Sequence, residues 1–321
     1  MQARDIIMVV SSFASMAAGV FLPGLAEPLA AMPRLMLMVM LYLSFLAVGG
    51  RSLAQEFLSS TAAICRLIGL RLFVLPVFTL SLFHLLMPRF ALGALLLGAA
   101  PVGVMAAVFS LMLGANTAMI LAGTIITSLL LPFSLPTMLS LADAGMRCLG
   151  MAGLDLPENF SLPGMTLSLC VTILVPFAAA MLTRTLPRMT DTILRNSFPL
   201  LTTAIVISNL GIFSNYAGIL RQSPELILQA LLASCLLCVI MTAAAVPATY
   251  GMSRQLRLAF LISFGVINNI LLMIVSNEFF SVNEALMGAT YLVPLYILLF
   301  YYRYFSKRTH PAAPPKAAGG E

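Results

Sequence analysis

The chain consists of long apolar segments that are joined by short polar connections. Ten of these segments have the roughly 18 to 25 residues that a helix needs to cross a bilayer. They lie near residues 6–22, 33–50, 60–86, 90–114, 116–140, 163–183, 195–215, 224–249, 255–280 and 284–304. The pattern predicts an all-α polytopic membrane protein with about ten transmembrane helices.

Helices four and nine of this series are interrupted inside their apolar runs. Pro101 and Gly103 break the fourth helix, and a glycine followed by Asn268 and Asn269 breaks the ninth. Backbone groups freed from a helix inside lipid need protein, water or a solute as partners, since an unpaired group there costs several kcal/mol. Paired broken helices in the two halves of a chain indicate a secondary transporter with its site at the crossing.

The two breaks predict a chain that is divided into two inverted repeats of five helices each. The first repeat covers residues 1–140, and the second covers residues 163–306. The longest connection, 141–162, separates them and is predicted to be extracytoplasmic. Residues 307–321 are rich in Pro, Ala and Gly, which is typical of a disordered tail, and we expect this tail in the cytoplasm.

The composition supports the membrane prediction. Hydrophobic residues make up 61% of the 321 residues, charged residues make up 9%, and the mean hydropathy is +1.04. A soluble domain carries about a quarter charged residues, so most of this surface is predicted to face lipid. The lipid bilayer is therefore the first partner that the sequence indicates.

Basic residues are distributed unequally between the two sides of the predicted topology. Of the 17 Lys and Arg residues, eleven fall on the side of both termini, and those on the other side are Arg34, Arg89, Arg147 and Arg221. Basic residues favour the cytoplasm, so both termini of this multi-pass protein are predicted to be cytoplasmic. The compact chain, without organelle-targeting features, favours a bacterial inner membrane. The scattered basic residues argue against nucleic acid as a partner.

Patterns for catalysis or metal binding are weak. Cys235 and Cys238 form a CxxC, but they lie in the apolar segment ALLASCLLCVIM, where small packing residues are the commoner interpretation. His84 and His310 are far apart in the sequence. The chain carries no motif for a nucleotide, a dinucleotide or a hydrolase nucleophile. We therefore expect no enzyme activity, no cofactor and no metal site.

Arg71 lies deep inside the third apolar segment, where a charge is costly. It stands about 16 Å from the cytoplasmic start of the segment, at about 1.5 Å per residue. A cation at this depth usually faces a cavity or a partner, and no predicted span core carries an acidic residue. Arg71 therefore favours an anionic solute, whereas Arg66 is close enough to the interface to snorkel.

The stretch from Gly98 to Pro136 resembles the fourth and fifth helices of the bile acid:sodium symporter family. The likeness lies in the small residues and proline of the crossing, in the Gly/Ala-Asn turn and in the closing Pro-x-x-x-Pro. A weaker likeness extends over most of the chain, including LMLMVMLYLSFLAVGGRSLAQEF for the second helix and SFGVINN for the ninth. The resemblance implies ten helices in two inverted repeats, with a core domain that holds the crossing and a panel domain that moves against it.

The resemblance also implies positions for two sodium sites, and most of their side-chain ligands are missing. The family has a serine and an asparagine after the fourth-helix crossing and a serine in the fifth helix, where this chain has Ala106, Ala107 and Ile120. Its ninth-helix glutamate and glutamine are replaced by Ser263 and Ile267. Sodium is a hard cation that needs several oxygen ligands, so we do not expect the usual sodium coupling.

Of three further positions that the resemblance indicates, Thr124 and Asn268 keep the chemistry of the family and Arg71 changes it. Thr124 keeps a hydroxyl, and Asn268 stands where the family has an asparagine that is associated with substrate. The third-helix glutamine of the second sodium site aligns with Arg71, whose fixed charge is predicted to stand in for the ion. An arginine there would also complement the carbonyl ends of the two broken half-helices.

The sequence thus predicts a secondary transporter of a small organic anion that lacks the usual sodium sites. We expect the solute to contact Asn268, Asn269, Thr124, Arg71 and the backbone near Pro101 and Gly103. One alternative is a proton-coupled or uniporting carrier related to the auxin-efflux and arsenite groups. Another is a membrane sensor that binds a solute without moving it.

Overall fold

The computed structural model describes residues 3–47, 60–103, 105–154, 156–158, 160–298 and 301. Within these ranges the chain is almost entirely helical. In chain order, the principal helices are α1 (Ala3–Phe21), α2 (Pro33–Ala47), α3 (Thr61–Leu86), α4a (Ala91–Ala99), α4b (Met105–Leu113), α5 (Thr117–Cys148), α6 (Leu162–Thr183), α7 (Ser197–Gln222), α8 (Pro224–Ala248), α9a (Arg254–Gly265), α9b (Asn269–Phe279) and α10 (Val282–Leu298).

Five of these helices are long and apolar enough to cross a membrane, namely α3, α5, α6, α7 and α8. The other apolar helices of the described chain are shorter. The protein is therefore an all-α membrane protein. The predicted ends of helices two and ten lie outside the described residues, and so does the predicted tail 307–321.

The helices pack in two groups. The panel group consists of α1, α2, α6 and α7, in which α1 packs on α7 and α2 packs on both α6 and α7. The core group consists of α3, α4a, α4b, α5, α8, α9a, α9b and α10. Every residue of α4a is buried, as expected for a short helix that is apolar on all faces. The two groups meet where α5 contacts α6 and where α9b contacts α2 and α7.

The helix contacts repeat in a regular way between the two halves of the chain. The contact of α1 with α7 has a counterpart in that of α6 with α2. In the core, α4a packs on α10 as α9a packs on α5, and α3 packs on α4a as α8 packs on α9a. Each of these contacts thus reappears when five is added to helix numbers one to five and subtracted from helix numbers six to ten.

Helix α3 contains a π-helical turn at Leu70–Val74. The N–H of Leu75 donates to the carbonyl of Leu70, five residues earlier. Pro76 follows and has no N–H, so the regular α-helical ladder cannot pass through this position. A wide turn of this kind often marks a functional position in a helix, and here it contains Arg71.

Helix α5 is longer than the sequence predicts. It continues to Cys148, so the first part of the predicted connection 141–162 is helical. Arg147 donates to the carboxylate of Asp143 one turn earlier at 2.9 Å, and such a pair supports a helix. Gly150 then adopts a φ of 74°, a conformation that ends the helix and that glycine adopts without strain.

Candidate solute-binding site at the helix crossing

The two interrupted helices meet at their breaks. The N–H of Gly103 donates to the carbonyl of Val266 at 2.9 Å, and the N–H of Asn268 donates to the carbonyl of Pro101 at 3.0 Å. These two bonds form a short antiparallel bridge in which Val102 is paired with Ile267. Each break therefore supplies the hydrogen-bond partners that the other break needs inside an apolar core.

Gly103 permits this close approach. A Cβ atom at this position would lie 2.6 Å from the carbonyl oxygen of Ile267, well inside van der Waals contact. The next backbone group along the break is also satisfied, because the N–H of Val102 donates to Oγ1 of Thr127 at 3.1 Å. The glycine that the sequence marked as a helix breaker is thus needed for the contact between the two helices.

Arg71 lies behind the bridge and is fully buried. Its Nε donates to the carbonyl of Ala100 at 2.9 Å, and its Nη1 donates to the carbonyl of Phe264 at 3.0 Å. Ala100 follows α4a, and Phe264 lies in the last turn of α9a. A single guanidinium therefore caps the negative ends of both half-helices, which is the contact that the sequence predicts for this arginine.

The charge of Arg71 has no carboxylate partner in the described part of the chain. The ion pairs found there join Arg34 to Glu278 and Asp143 to Arg147. The carbon of the guanidinium lies 5.9 Å from the ring centre of Phe264, and Nη2 has no hydrogen-bond partner among the described residues. Carbonyl dipoles and the aromatic ring therefore provide the surroundings of this cation.

A cavity of about 60 Å³ lies between the panel group and the core group. Its core wall includes Asn268 and Asn269 at the start of α9b, and its panel wall includes Ser12 of α1 and Asn209 of α7. Apolar side chains form most of the remaining wall, and none of the described residues that line it is charged. The volume corresponds to about four waters, so this conformation accommodates only a small solute.

Asn268 combines a structural contact with a free donor. Its Oδ1 accepts a hydrogen bond from the N–H of Leu271 at 3.3 Å and so caps the N-terminus of α9b. Because only an oxygen can accept this bond, the amide orientation is fixed and Nδ2 is left over. Nδ2 is buried and has no partner among the described residues. Asn269, by contrast, donates to the carbonyl of Gly288 at 3.4 Å.

Asn209 was not among the residues that the sequence indicated. Its Nδ2 donates to the carbonyl of Ser12 at 3.3 Å and to Oγ of Ser15 at 3.2 Å. These bonds need the amide nitrogen, so Oδ1 is left over, and it is buried without a partner among the described residues. A single asparagine inside the apolar run AIVISNLGIF was the signal available in the sequence.

The remaining predicted site residues do not line this cavity. Thr124 is buried, and its hydroxyl donates to the carbonyl of Ile120 in its own helix at 2.9 Å. Arg71, Pro101 and Gly103 lie at the bridge or behind it rather than in the cavity wall. Of the six residues expected to contact a solute, the cavity therefore brings together only the two asparagines of α9b.

The positions that correspond to sodium ligands in the bile acid:sodium symporter family lie in the core group, on α4b, α5 and α9a and at the break of the ninth helix. Ala106, Ile120 and Ser263 are buried, and the Ser263 hydroxyl has no partner among the described residues. Ile267 lines the cavity, whereas Ala107 does not. In the part of the chain that the structure describes, no cluster of His, Cys, Asp and Glu side chains has the arrangement of a metal site.

One end of the interface between the two helix groups is closed by polar contacts at the end of α9b. Tyr216 of α7 donates to Oδ1 of Asn277 at 2.7 Å. The hydroxyl of Ser168 on α6 lies 3.0 Å from both carboxylate oxygens of Glu278, and Nη1 of Arg34 lies 3.5 Å from one of them. We call these the outer contacts. They join the panel group to the half-helix whose other end lines the cavity.

No protein family model matches the chain, and no curated protein matches it. The geometry of the crossing and of the cavity beside it is therefore the basis on which a function is inferred.

Proposed function

We propose that the protein is a secondary transporter of a small organic anion, similar to the bile acid:sodium symporter family. The observation that carries this proposal is the backbone bridge between two interrupted helices beside a cavity that both helix groups line. Broken helices that meet at a site between two packed units are typical of carriers that work by alternating access. The solute would bind between the panel group and the core group.

The proposal includes ten transmembrane helices in two inverted repeats. It is supported by the helix contacts that recur when helices one to five are exchanged with helices six to ten. It is also supported by the position of the breaks, one in the fourth helix and one in the ninth. In this arrangement the bridge lies near the pseudo-twofold axis, where transporters of this kind bind their solutes.

An anion is the solute that the electrostatics of the site favour. The N-terminus of α9b points its first-turn N–H groups and the positive end of its dipole toward the cavity wall at Asn269 and Ile270. Asn268 adds an amide donor. Arg71 contributes indirectly, because its charge offsets the partial negative charge of the Ala100 and Phe264 carbonyls behind the bridge. These carbonyls then repel an anion at the N–H donors of α9b less strongly.

The proposal assigns no sodium ion to the crossing. Arg71 binds two carbonyl oxygens there, and its fixed charge would repel a cation. The alternative side-chain ligands are absent at Ala106, Ala107 and Ile120. The protein would therefore act as a uniporter or couple to protons.

The outer contacts support a transport cycle in which the panel group and the core group separate at one end at a time. With both termini in the cytoplasm, Tyr216, Glu278 and Arg34 lie at the extracytoplasmic end, and the structure corresponds to a state closed on that side. A bacterial inner membrane is the proposed location. Exchange of solute with the extracytoplasmic side would require the outer contacts to break.

Counterflow in proteoliposomes tests the proposal. Vesicles loaded with unlabelled 2- or 3-hydroxybutanoate are diluted into the labelled acid at pH 8, and protein-free vesicles give the background. The Asn268→Asp variant is the decisive comparison, because Asp keeps the oxygen that caps α9b but replaces the amide donor with a negative charge. We expect counterflow by the wild type and at least about a tenfold loss in the variant.

Two results would contradict the proposal in different ways. Counterflow that is equal with and without protein would refute transport of these acids. Binding of the acids in detergent without any counterflow would instead indicate a sensor that binds a solute and does not move it. The control is Ser208→Ala, which removes a buried hydroxyl outside the cavity wall and should transport like the wild type.

A further inference from the structure

Two residues that line the same cavity each have a buried amide atom without a partner in the described chain, and the two atoms have opposite hydrogen-bonding character. Nδ2 of Asn268, a residue of the core wall, is a donor, and Oδ1 of Asn209, a residue of the panel wall, is an acceptor. The solvent exposure of the two side chains is 8% and 1%, so bulk water does not satisfy either atom. A buried polar atom without a partner costs free energy, which binding of a complementary solute would recover.

The orientation of both amides is fixed by hydrogen bonds to neighbouring protein groups. Asn268 must use its oxygen to cap Leu271, and Asn209 must use its nitrogen to reach the carbonyl of Ser12. Neither side chain can flip without losing such a bond, so the two amides offer one donor and one acceptor in fixed positions, beside the hydroxyl of Ser12 in the same wall. A solute that fits this pair must itself carry an acceptor at one end and a donor at the other.

We propose that Asn209 determines specificity by accepting a hydrogen bond from a hydroxyl group of a small carboxylate. This inference rests on the proposed function. The carboxylate would accept from Nδ2 of Asn268 and from the first-turn N–H groups of α9b. The hydroxyl would donate across the cavity to Oδ1 of Asn209. The apolar walls would contact a short carbon chain between these two groups.

The same geometry predicts which acids are rejected. A keto group at the position of the hydroxyl would direct an acceptor at the acceptor Oδ1 of Asn209, and both would lose hydration without gaining a bond. A site built to bind a hydroxyl discriminates strongly against an analogue that lacks it, because its own polar group is then left unpaired. A hydroxy acid should therefore bind more tightly than the unsubstituted acid, and the keto acid should bind most weakly.

Calorimetric titration of the detergent-solubilised protein tests this order with five acids of the same carbon skeleton. These are butanoate, 2- and 3-hydroxybutanoate, and 2- and 3-oxobutanoate. For at least one hydroxyl position we expect the hydroxy acid to bind about tenfold more tightly than butanoate and the oxo acid to bind less tightly than butanoate. Equal affinities for hydroxy and oxo acids at both positions would overturn the inference.

Two variants assign the preference to Asn209. Asn209→Leu should bind butanoate and the hydroxy acids with equal affinity, whereas the control Ser208→Ala should keep the wild-type order. Melting temperatures of both variants establish that they are folded. A preference for the hydroxy acid that persists in Asn209→Leu would exclude this residue as the acceptor. Because the wild-type order needs no variant, the inference stays testable even if Asn209→Leu does not fold.

Counterflow separates the failure of this inference from the failure of the proposed function. If the wild type transports hydroxy and oxo acids alike, transport stands and the role of Asn209 is refuted. If it neither binds nor transports any of the five acids, both the proposed function and the inference that rests on it are refuted.

Discussion

Tyr216 and Asn277 are joined by a hydrogen bond of 2.7 Å that links the panel group to the end of α9b. The neighbouring Glu278 is held from the panel side by Ser168 and Arg34. Since the start of α9b lines the cavity and its end carries the outer contacts, one half-helix connects the two. In the proposed topology, opening of the cavity to the outside would require these contacts to break.

We expect Tyr216→Phe to shift the protein toward an outward-open state. The variant loses one hydrogen bond, which contributes about 1 kcal/mol, so the open population should rise about fivefold. The measurement is the labelling rate of a cysteine at Leu37, in the cavity wall, by a membrane-impermeant thiol reagent added outside. All native cysteines are replaced beforehand.

The matched control for this variant is Tyr42→Phe. Tyr42 donates to Oγ1 of Thr183 at 2.9 Å, but both residues belong to the panel group. Loss of that bond should leave the labelling rate unchanged. Equal labelling of Tyr216→Phe and the wild type would show that the outer contacts do not limit access.

Replacement of Gly103 by alanine should destabilise the protein. The added Cβ would lie 2.6 Å from the carbonyl oxygen of Ile267 and would force the two breaks apart. Overpacking of this kind costs about 1–3 kcal/mol, so we expect a clearly lower melting temperature. The control is Gly218→Ala, because Gly218 lies inside α7 with open space around it and should gain helix stability. A melting temperature of Gly103→Ala at or above that of Gly218→Ala would contradict the packing argument.

Arg71→Leu should lower the stability more than Arg71→Gln does. Leucine leaves the carbonyls of Ala100 and Phe264 without donors, and each unpaired buried group costs about 1–3 kcal/mol. Glutamine can still donate to one of them. Thermal unfolding in detergent measures the order, which should be wild type, then Gln, then Leu. If leucine proves as stable as arginine, the capping role of Arg71 is wrong.

Sodium should have no specific effect on ligand binding by the wild type. Arg71 contacts the carbonyl oxygens at the crossing, and an added cation there would meet its charge. The measurement is the affinity for 3-hydroxybutanoate in sodium chloride and in potassium chloride at equal concentration. Arg71→Gln should bind the acid more weakly in both salts. A steep rise in wild-type affinity with sodium alone would refute the proposed replacement of the ion by arginine.

The topology can be tested with one native and one introduced cysteine. Cys148 is exposed at the end of α5, and Ser253 is exposed before α9a. The distribution of basic residues predicts that Cys148 is labelled from outside and that Ser253→Cys is labelled from the cytoplasm. The remaining native cysteines are replaced by alanine. Labelling of both positions from the same side would exclude the proposed arrangement of the helices.

The sequence by itself determined the membrane class and the positions of the breaks. Apolar length and a low charged fraction decide where a chain can stay in lipid, and Pro101 and the Asn268–Asn269 pair interrupt a helix by local chemistry. The third-helix arginine was also predictable as a partner for carbonyl ends, because a deep cation without an acid nearby has few other partners. The end of α5 was not predictable from the sequence. The pair of Asp143 and Arg147 extends this helix into a segment whose sequence is typical of a loop.

Only the tertiary structure decided which polar groups share a cavity. Thr124 satisfies its own helix, and Arg71 is occupied by Ala100 and Phe264, so neither lines the cavity wall. Asn209 becomes a candidate for solute binding because α7 packs against α9b. The two helices are far apart in the sequence, so no local sequence pattern indicates this contact. A hydrogen-bonding group is free or occupied according to its neighbours in space, and those neighbours are set by helix packing rather than by the residue itself.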